Sequence, residues 1–445
     1  MTHRGQQMTE TKLLYISKIS KENQKYRFTS LASLLTCDFL GNCFTELNKY
    51  RACGTDGVSV TEYGNKLEEN ISLLHGRLKT MSYRPQAVRR VNIPKDNGKT
   101  RPLGIPSVED KIVQKGISKI LEAIFEPCFL DVSYGFRPGR SCHGALKRLD
   151  YMIVARPVKH VIDADIKGFF DNVDHKWLVE FLKHRIADKN LIRLIVRFLK
   201  SGIIKEGKYY DTEKGTPQGG ILSPILSNIY LHYVLDLWLK KIATSKAKGF
   251  IGEVRYADDF IICTQYREDA INLLESLKVR LNKFGLELSE EKTRLILFGR
   301  YAQEKCKKVK TFDFLGFTHY CDKSFKGKFK LGRMTSRKRY RNKLKEMNLW
   351  LKTMRNYLSL NEIWKTLKQK LIGHFRYYGI SGNGYRIYMY HYHTLKLVYK
   401  WLNRRSQRKS FNWKSFAKYK KRYPLPAPKI YCNLYNTTTP ICEFS

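Results

Sequence analysis

The sequence predicts an α+β fold, and three features carry that prediction. Apolar residues recur at helical spacing early and late in the chain, and short stretches of alternating character lie between them. Two of those stretches carry aspartates, an unusual place for charge. At 445 residues the length suggests about three domains of roughly 150 residues each.

Taken in order, residues 1–30 are polar and are expected to be poorly ordered or to lie on a ligand. Residues 31–80 read as mostly helical: Leu31, Leu34, Leu35, Phe39 and Leu40, then Leu67, Ile71, Leu74 and Leu78, lie on either side of a turn-rich loop at 52–58. Residues 87–94 alternate like a strand, 95–99 form a turn and 100–106 begin a return strand. Arg89, Lys95 and Arg101 make this hairpin able to fold over a phosphate chain, although surface hairpins are often basic. A helix follows from 108 to 125, then a Gly/Pro/Arg loop at 134–141, with His143 opening the next helix as a cap or core residue.

Residues 160–167 alternate again, so Asp163 and Asp165 share one face of a strand. At 215–220, Gly219 and Gly220 follow Pro217-Gln218 and let another chain or a base pair touch the backbone. A helix is expected over 224–241. A hairpin over 251–264 then places Asp258 and Asp259 at its tip. Adjacent carboxylates repel, and a divalent cation with hard oxygen ligands, Mg²⁺ above all, relieves the repulsion. A polar turn would account for the dipeptide alone; it does not account for the matching carboxylate upstream. A helix at 269–284, a strand and turn at 312–317, basic helices beyond 335 and an extended Pro-rich tail from 424 complete the chain.

The chain carries 83 Lys and Arg against 40 Asp and Glu, a net charge of +43, which points to a polyanionic partner, nucleic acid first. Between residues 321 and 430 there are 30 Lys and Arg against 3 acids, so +27 of the charge lies there, interleaved with aromatics over 375–401 in a manner that suits phosphate contacts and base stacking. No apolar run of about 20 residues and no signal peptide is present, so a soluble, cytoplasmic protein without a membrane partner is expected. The ten cysteines form no C-x-x-C pair and read as small buried hydrophobes rather than zinc ligands.

The succession IPKDNGKTRPLGIPSVEDKIVQ, YGFRPGRSCHGAL, DADIKGFFDNVDH, GTPQGGILSPILSNIYL, RYADDF, LELSEEKTR and FDFLGF resembles the bacterial group II intron reverse transcriptases, or maturases, over about residues 50–320. The segment LIGHFRYYGISGN is similar to their thumb, or X domain. The resemblance implies a right-hand polymerase: an N-terminal extension and start of the fingers at 1–80, fingers and palm with an antiparallel sheet at 81–320, a helical thumb at 321–405, and a short basic extension at 406–445 without an HNH endonuclease. It implies that Asp165, Asp258 and Asp259 bind two Mg²⁺ ions, for which Mn²⁺ can substitute. Asp165 is preferred to Asp163 because the family's aromatic steric gate stands five residues after the metal ligand, at Phe170. It further implies that Arg89, Lys95 and Arg101 hold the triphosphate and that Gln218 and Gly219 support the incoming nucleotide and template base. Lys292 would protonate pyrophosphate, and Phe314, Leu315 and Gly316 would form the primer grip. The expected partners are dNTPs, a DNA primer or target and a structured RNA template, with the protein a monomer or a dimer. A stand-alone reverse transcriptase of defence or repair and a non-enzymatic splicing cofactor are the rival expectations.

Overall fold

The computed structural model describes residues 3–94, 100–216, 219–305, 309–405 and 411–435. The first segment departs from expectation, since His3–Glu22 is a helix. Its Leu13, Ile16 and Ile19 pack into the core beside the helix Val108–Phe125. Ser20 is buried there and donates to the Ile124 carbonyl at 2.5 Å, while Arg185 donates to the Ser20 hydroxyl at 2.7 Å. A polar segment is therefore ordered by a partner about a hundred residues downstream, through three-to-four-residue spacing.

The strands in chain order are β1 (Val88–Pro94), β2 (Thr100–Ile105), β3 (His160–Asp165), β4 (Ile203–Lys205), β5 (Lys208–Tyr210), β6 (Ile251–Tyr256), β7 (Asp259–Thr264), β8 (Arg294–Leu297), β9 (Phe312–Phe314), β10 (Phe317–Lys323) and β11 (Phe329–Thr335). They form three sheets, ordered β2-β1-β4-β5, β6-β7-β3-β8 and β11-β10-β9. The middle sheet is antiparallel, with β3 between β7 and β8. Its two faces belong to different cores. Ile162, Ala164, Phe260 and Ile262 pack towards the helices around Val108–Phe125. Val161, Ile261 and Cys263 pack towards the C-terminal helices. Asp163, Asp165 and Asp259 have the parity of this second face.

The expected helix at 224–241 is observed as Ser223–Leu231 followed by π-helical turns at His232–Asp236 and Leu239–Ala243. The C-terminal module consists of β9–β11 and the helices Arg337–Met354, Leu360–Tyr378, Gly384–Leu402 and Trp413–Arg422. Strand β10 runs across the boundary expected at 320/321. Of the crowded aromatics, Phe375, Tyr378, Tyr390 and Trp401 are buried in this module's core, whereas Tyr385, Tyr388 and Tyr392 stay exposed. Buried Arg333 on β11 pairs with Asp150 on the helix Cys142–Ala155 and ties the module to the central sheet. Among the described residues no helix is long and apolar enough to cross a membrane.

Candidate active site

The three carboxylates singled out from the sequence meet at one end of the central sheet. Asp165 ends β3 and stands opposite Asp259, the first residue of β7. Tyr256 pairs with Asp259, so Ala257 and Asp258 are the two loop residues of the β6–β7 hairpin. Ala257 takes a positive φ of 58°, which a two-residue hairpin demands and a side chain resists. Further in, the odd-numbered positions of β3 and β7 are apolar where the C-terminal core covers them. At the open end of the sheet they are aspartates.

Burial, and behind it the Asp165 carboxylate, raises Asp258 above the ordinary carboxylate range, while Arg101 and Lys292 pull it back. Asp259 faces the open cleft, yet the protein packed around it and the carboxylates of Asp258, Asp165 and Asp163 push it up to about 7. Lys292 Nζ donates to Asp165 Oδ2 at 2.6 Å, and this bond raises the lysine above its usual value. One step inward, Arg294 on β8 donates to Asp163 Oδ2 at 2.9 Å, so Asp163 has a cation of its own and Asp165 is the β3 acid beside the tip.

Among the described residues no group of three or more His, Cys, Asp or Glu side chains is placed to hold a metal ion without other ligands. A hard dication that keeps several waters and takes further oxygens from phosphate needs only one or two carboxylates. Three mutually repelling carboxylates, one held by an exposed ammonium, are a donor set that fits such an ion.

Of these acids, Asp259 lines a cleft of about 1050 Å³. Ile93, Pro94 and Arg101 of the β1–β2 hairpin form one wall, and Tyr256 and Asp259 lie on the floor. Leu315 and Gly316 border it, and Lys338, Arg339, Lys343 and Lys370 form the opposite wall. Of the expected phosphate-holding cations, Arg101 lines the cleft, whereas Arg89 donates to the Cys53 carbonyl at 3.1 and 2.8 Å. Lys95 and Gln218 lie outside the described residues. Gly219, at a φ of 107°, passes so close beneath β2 that a Cβ would come within 2.8 Å of the Gly104 carbonyl oxygen. Phe170 is half-buried, edge-on to Phe169 at 5.3 Å, and borders a smaller pocket with Gly215 and Thr216. Phe314 is buried, and Leu315 and Gly316 make the tight β9–β10 turn at φ values of 51° and 79°.

The sequence reading missed the lysines and arginine of the cleft wall as site residues, although their charge run was visible. It also missed Tyr377, whose hydroxyl donates to the Leu315 carbonyl at 3.0 Å, and the fully buried pair of Arg255 and Asp236 under the hairpin tip.

A family model described as reverse transcriptase (RNA-dependent DNA polymerase) matches residues 93–319, about half of the chain. The group II intron-encoded protein LtrA of Lactococcus lactis subsp. cremoris is 38% identical over 337 residues, covering 62% of this chain and 56% of LtrA. Protein YkfC of Escherichia coli (strain K12) is 35% identical over 266 residues, covering 52% of this chain and 70% of YkfC. An uncharacterized 91 kDa protein in the cob intron of Schizosaccharomyces pombe is 31% identical over 301 residues, covering 65% of this chain and 37% of that protein. The chain thus spans little more than half the length of LtrA. With Asp165 and Asp259 opposite each other on neighbouring strands inside the matched region, the chain belongs to the reverse transcriptase (RNA-dependent DNA polymerase) family.

Proposed function

We propose that this protein is an RNA-directed DNA polymerase that extends a DNA primer on an RNA template, using two Mg²⁺ ions for which Mn²⁺ can substitute. The observation that carries the reading is that Asp165, Asp258 and Asp259 lie together at one end of the central sheet, where Asp259 lines a cleft that Arg101, Lys338, Arg339, Lys343 and Lys370 also line. In this reading those acids would hold the ions, whose charge would ease loss of the primer 3′-hydroxyl proton to water and offset the charge of the departing pyrophosphate. Arg101, on the fingers side, binds the triphosphate, and the P–O bond to the β-phosphate breaks as the 3′-oxygen bonds the α-phosphorus. Lys292 exchanges Asp165 for the pyrophosphate oxygen and supplies its proton. Phe170 excludes a ribose 2′-hydroxyl, and the Phe314–Gly316 turn holds the primer end. The thumb cations of Lys338, Arg339, Lys343 and Lys370 neutralise the backbone of the template–primer duplex.

The kinship with an intron-encoded protein, together with the +27 carried by residues 321–430, supports a further role as a maturase that binds structured intron RNA in splicing and mobility, in the bacterial cytosol. The decisive experiment is primer extension with Mg²⁺ and dNTPs on matched RNA and DNA templates beside an Asp258→Ala control. DNA made on RNA and absent in the control supports the polymerase. No product on either template, with tight binding to structured RNA intact, replaces it with a splicing cofactor.

A further inference from the structure

The hairpin that carries Asp258 and Asp259 rests on a buried ion pair that none of the chemistry above uses. Arg255 and Asp236 are both fully buried. Arg255 Nε donates to Asp236 Oδ1 at 2.7 Å and Nη2 donates to Oδ2 at 2.6 Å, a two-pronged contact. Its remaining nitrogen, Nη1, donates to the Ala257 carbonyl and to Asn228 Oδ1, each at 3.1 Å. Asn228 in turn donates from Nδ2 to the Gly135 carbonyl at 2.8 Å. Gly135 lies so close to the tip that a Cβ there would sit 2.4 Å from the Ala257 nitrogen. Val132 and Tyr134 of the same loop bond to the backbone of Arg255, at 2.8 and 2.9 Å.

Two physical considerations make this more than a stabilising contact. A buried ion pair is a poor source of stability, because removing both charges from water costs about what their attraction returns. Ala257, meanwhile, occupies a left-handed conformation that costs an alanine roughly 1–2 kcal/mol, so the tip keeps its shape only if its surroundings impose it. The guanidinium grips the carbonyl of that very residue. Asp236 ends a π-helical turn, the kind of local insertion that re-aims a side chain.

We propose that Arg255, anchored by Asp236, is a positioning residue that sets the tip of the β6–β7 hairpin so that Asp258 and Asp259 face Asp165 in metal-binding geometry. The inference rests on the polymerase reading for its kinetic consequence but not for its effect on metal binding. The tip is then a rigid arm with its pivot at Ala257 and its brace in the helix behind.

The test compares wild type with Arg255→Lys, which keeps the charge but loses the fork, and with the double variant Arg255→Met/Asp236→Leu, which replaces the pair by apolar side chains. Mn²⁺ binding to the nucleic-acid-free protein is followed by the free-ion electron paramagnetic resonance signal, and kcat and KM for dNTP by primer extension. The double variant should keep a near-wild-type Tm, while half-saturation by Mn²⁺ rises about tenfold and kcat falls by roughly 30-fold or more with KM changed less than about threefold. Arg255→Lys should lie between the two. A double variant that melts, binds Mn²⁺ and turns over like wild type overturns the proposal. If it does not fold, Arg255→Lys decides alone, and wild-type Mn²⁺ binding and kcat in that variant overturn it equally. Wild-type protein that makes no DNA would instead refute the polymerase reading, with the Mn²⁺ titration still reporting on the arm.

Discussion

Phe170 is held by its neighbours rather than left to swing. Its ring meets Phe169 edge-on at 5.3 Å, and its carbonyl accepts from the Thr216 backbone N–H at 2.7 Å. In the steric-gate role proposed for it, a fixed ring would exclude an added oxygen by overlap, so trimming it should cost selectivity before rate. Phe170→Ala is expected to keep dNTP incorporation within a few-fold while the preference for dNTP over rNTP drops by roughly 100-fold, read as the ratio of kcat/KM values on one template. An unchanged ratio would place the gate elsewhere. The aspartates were legible because alternation along a strand fixes which residues share a face, and Asp163 and Asp165 are two apart. Arg255 and Asp236 were not legible as a pair, because a buried Arg is spelled like a surface one and its partner lies 19 residues away in a π-helical turn that helical periodicity conceals.

At the scale of elements, the β9–β10 turn owes its place to a helix of the same C-terminal module, 62 residues further along the chain. Tyr377, on Leu360–Tyr378, donates its hydroxyl to the Leu315 carbonyl at 3.0 Å and stacks on Phe317 with ring centroids 6.1 Å apart. Its own carbonyl accepts from His143 Nε2 at 2.8 Å, so His143 is neither a helix cap nor a core residue but a tie between the central domain and the C-terminal helices. Tyr377→Phe keeps the ring and removes this hydrogen bond together with the one the hydroxyl accepts from the Cys142 thiol at 3.3 Å. It should lower stability by about 1 kcal/mol and raise KM for primer–template several-fold with KM for dNTP unchanged. Equal KM values for primer–template in the two proteins would show that the turn needs no such support. The hairpins and the long helices at 108–125 and 267–283 could be read from periodicity, since each is amphipathic or continuously apolar by itself. The N-terminal helix could not, because its narrow apolar face gains meaning only against a helix far along the chain.

For the molecule as a whole, part of the response to pH should come from two histidines of the C-terminal module. Burial pushes His319, stacked on Phe312, and His374, stacked on Tyr390 at 3.6 Å, down to about 3. Unfolded, each would titrate near 6.5. Below that value the unfolded chain takes up protons that the folded chain refuses. The stability from neutral burial is therefore complete above about pH 6.5 and is lost as pH falls towards 3, by roughly 2 kcal/mol per imidazole at pH 5. Raised Asp259 acts in the opposite sense over this range, so the histidine contribution is read as a difference: the shift in Tm from pH 7.5 to 5 should be less downward in His374→Phe than in the wild type, and equal shifts in the two proteins would contradict it. The order of strands in the central sheet has a consequence for synthesis on the ribosome. β3 lies between β7 and β8, and Asp163 meets Arg294 across 131 residues of sequence. From the moment it emerges, β3 waits with both edges open until much of the remaining chain has been translated, and such strands are where nascent proteins aggregate. The helices of 108–125 and 142–155 are complete before β3 appears, and they supply apolar faces on which it can shelter before its partners arrive.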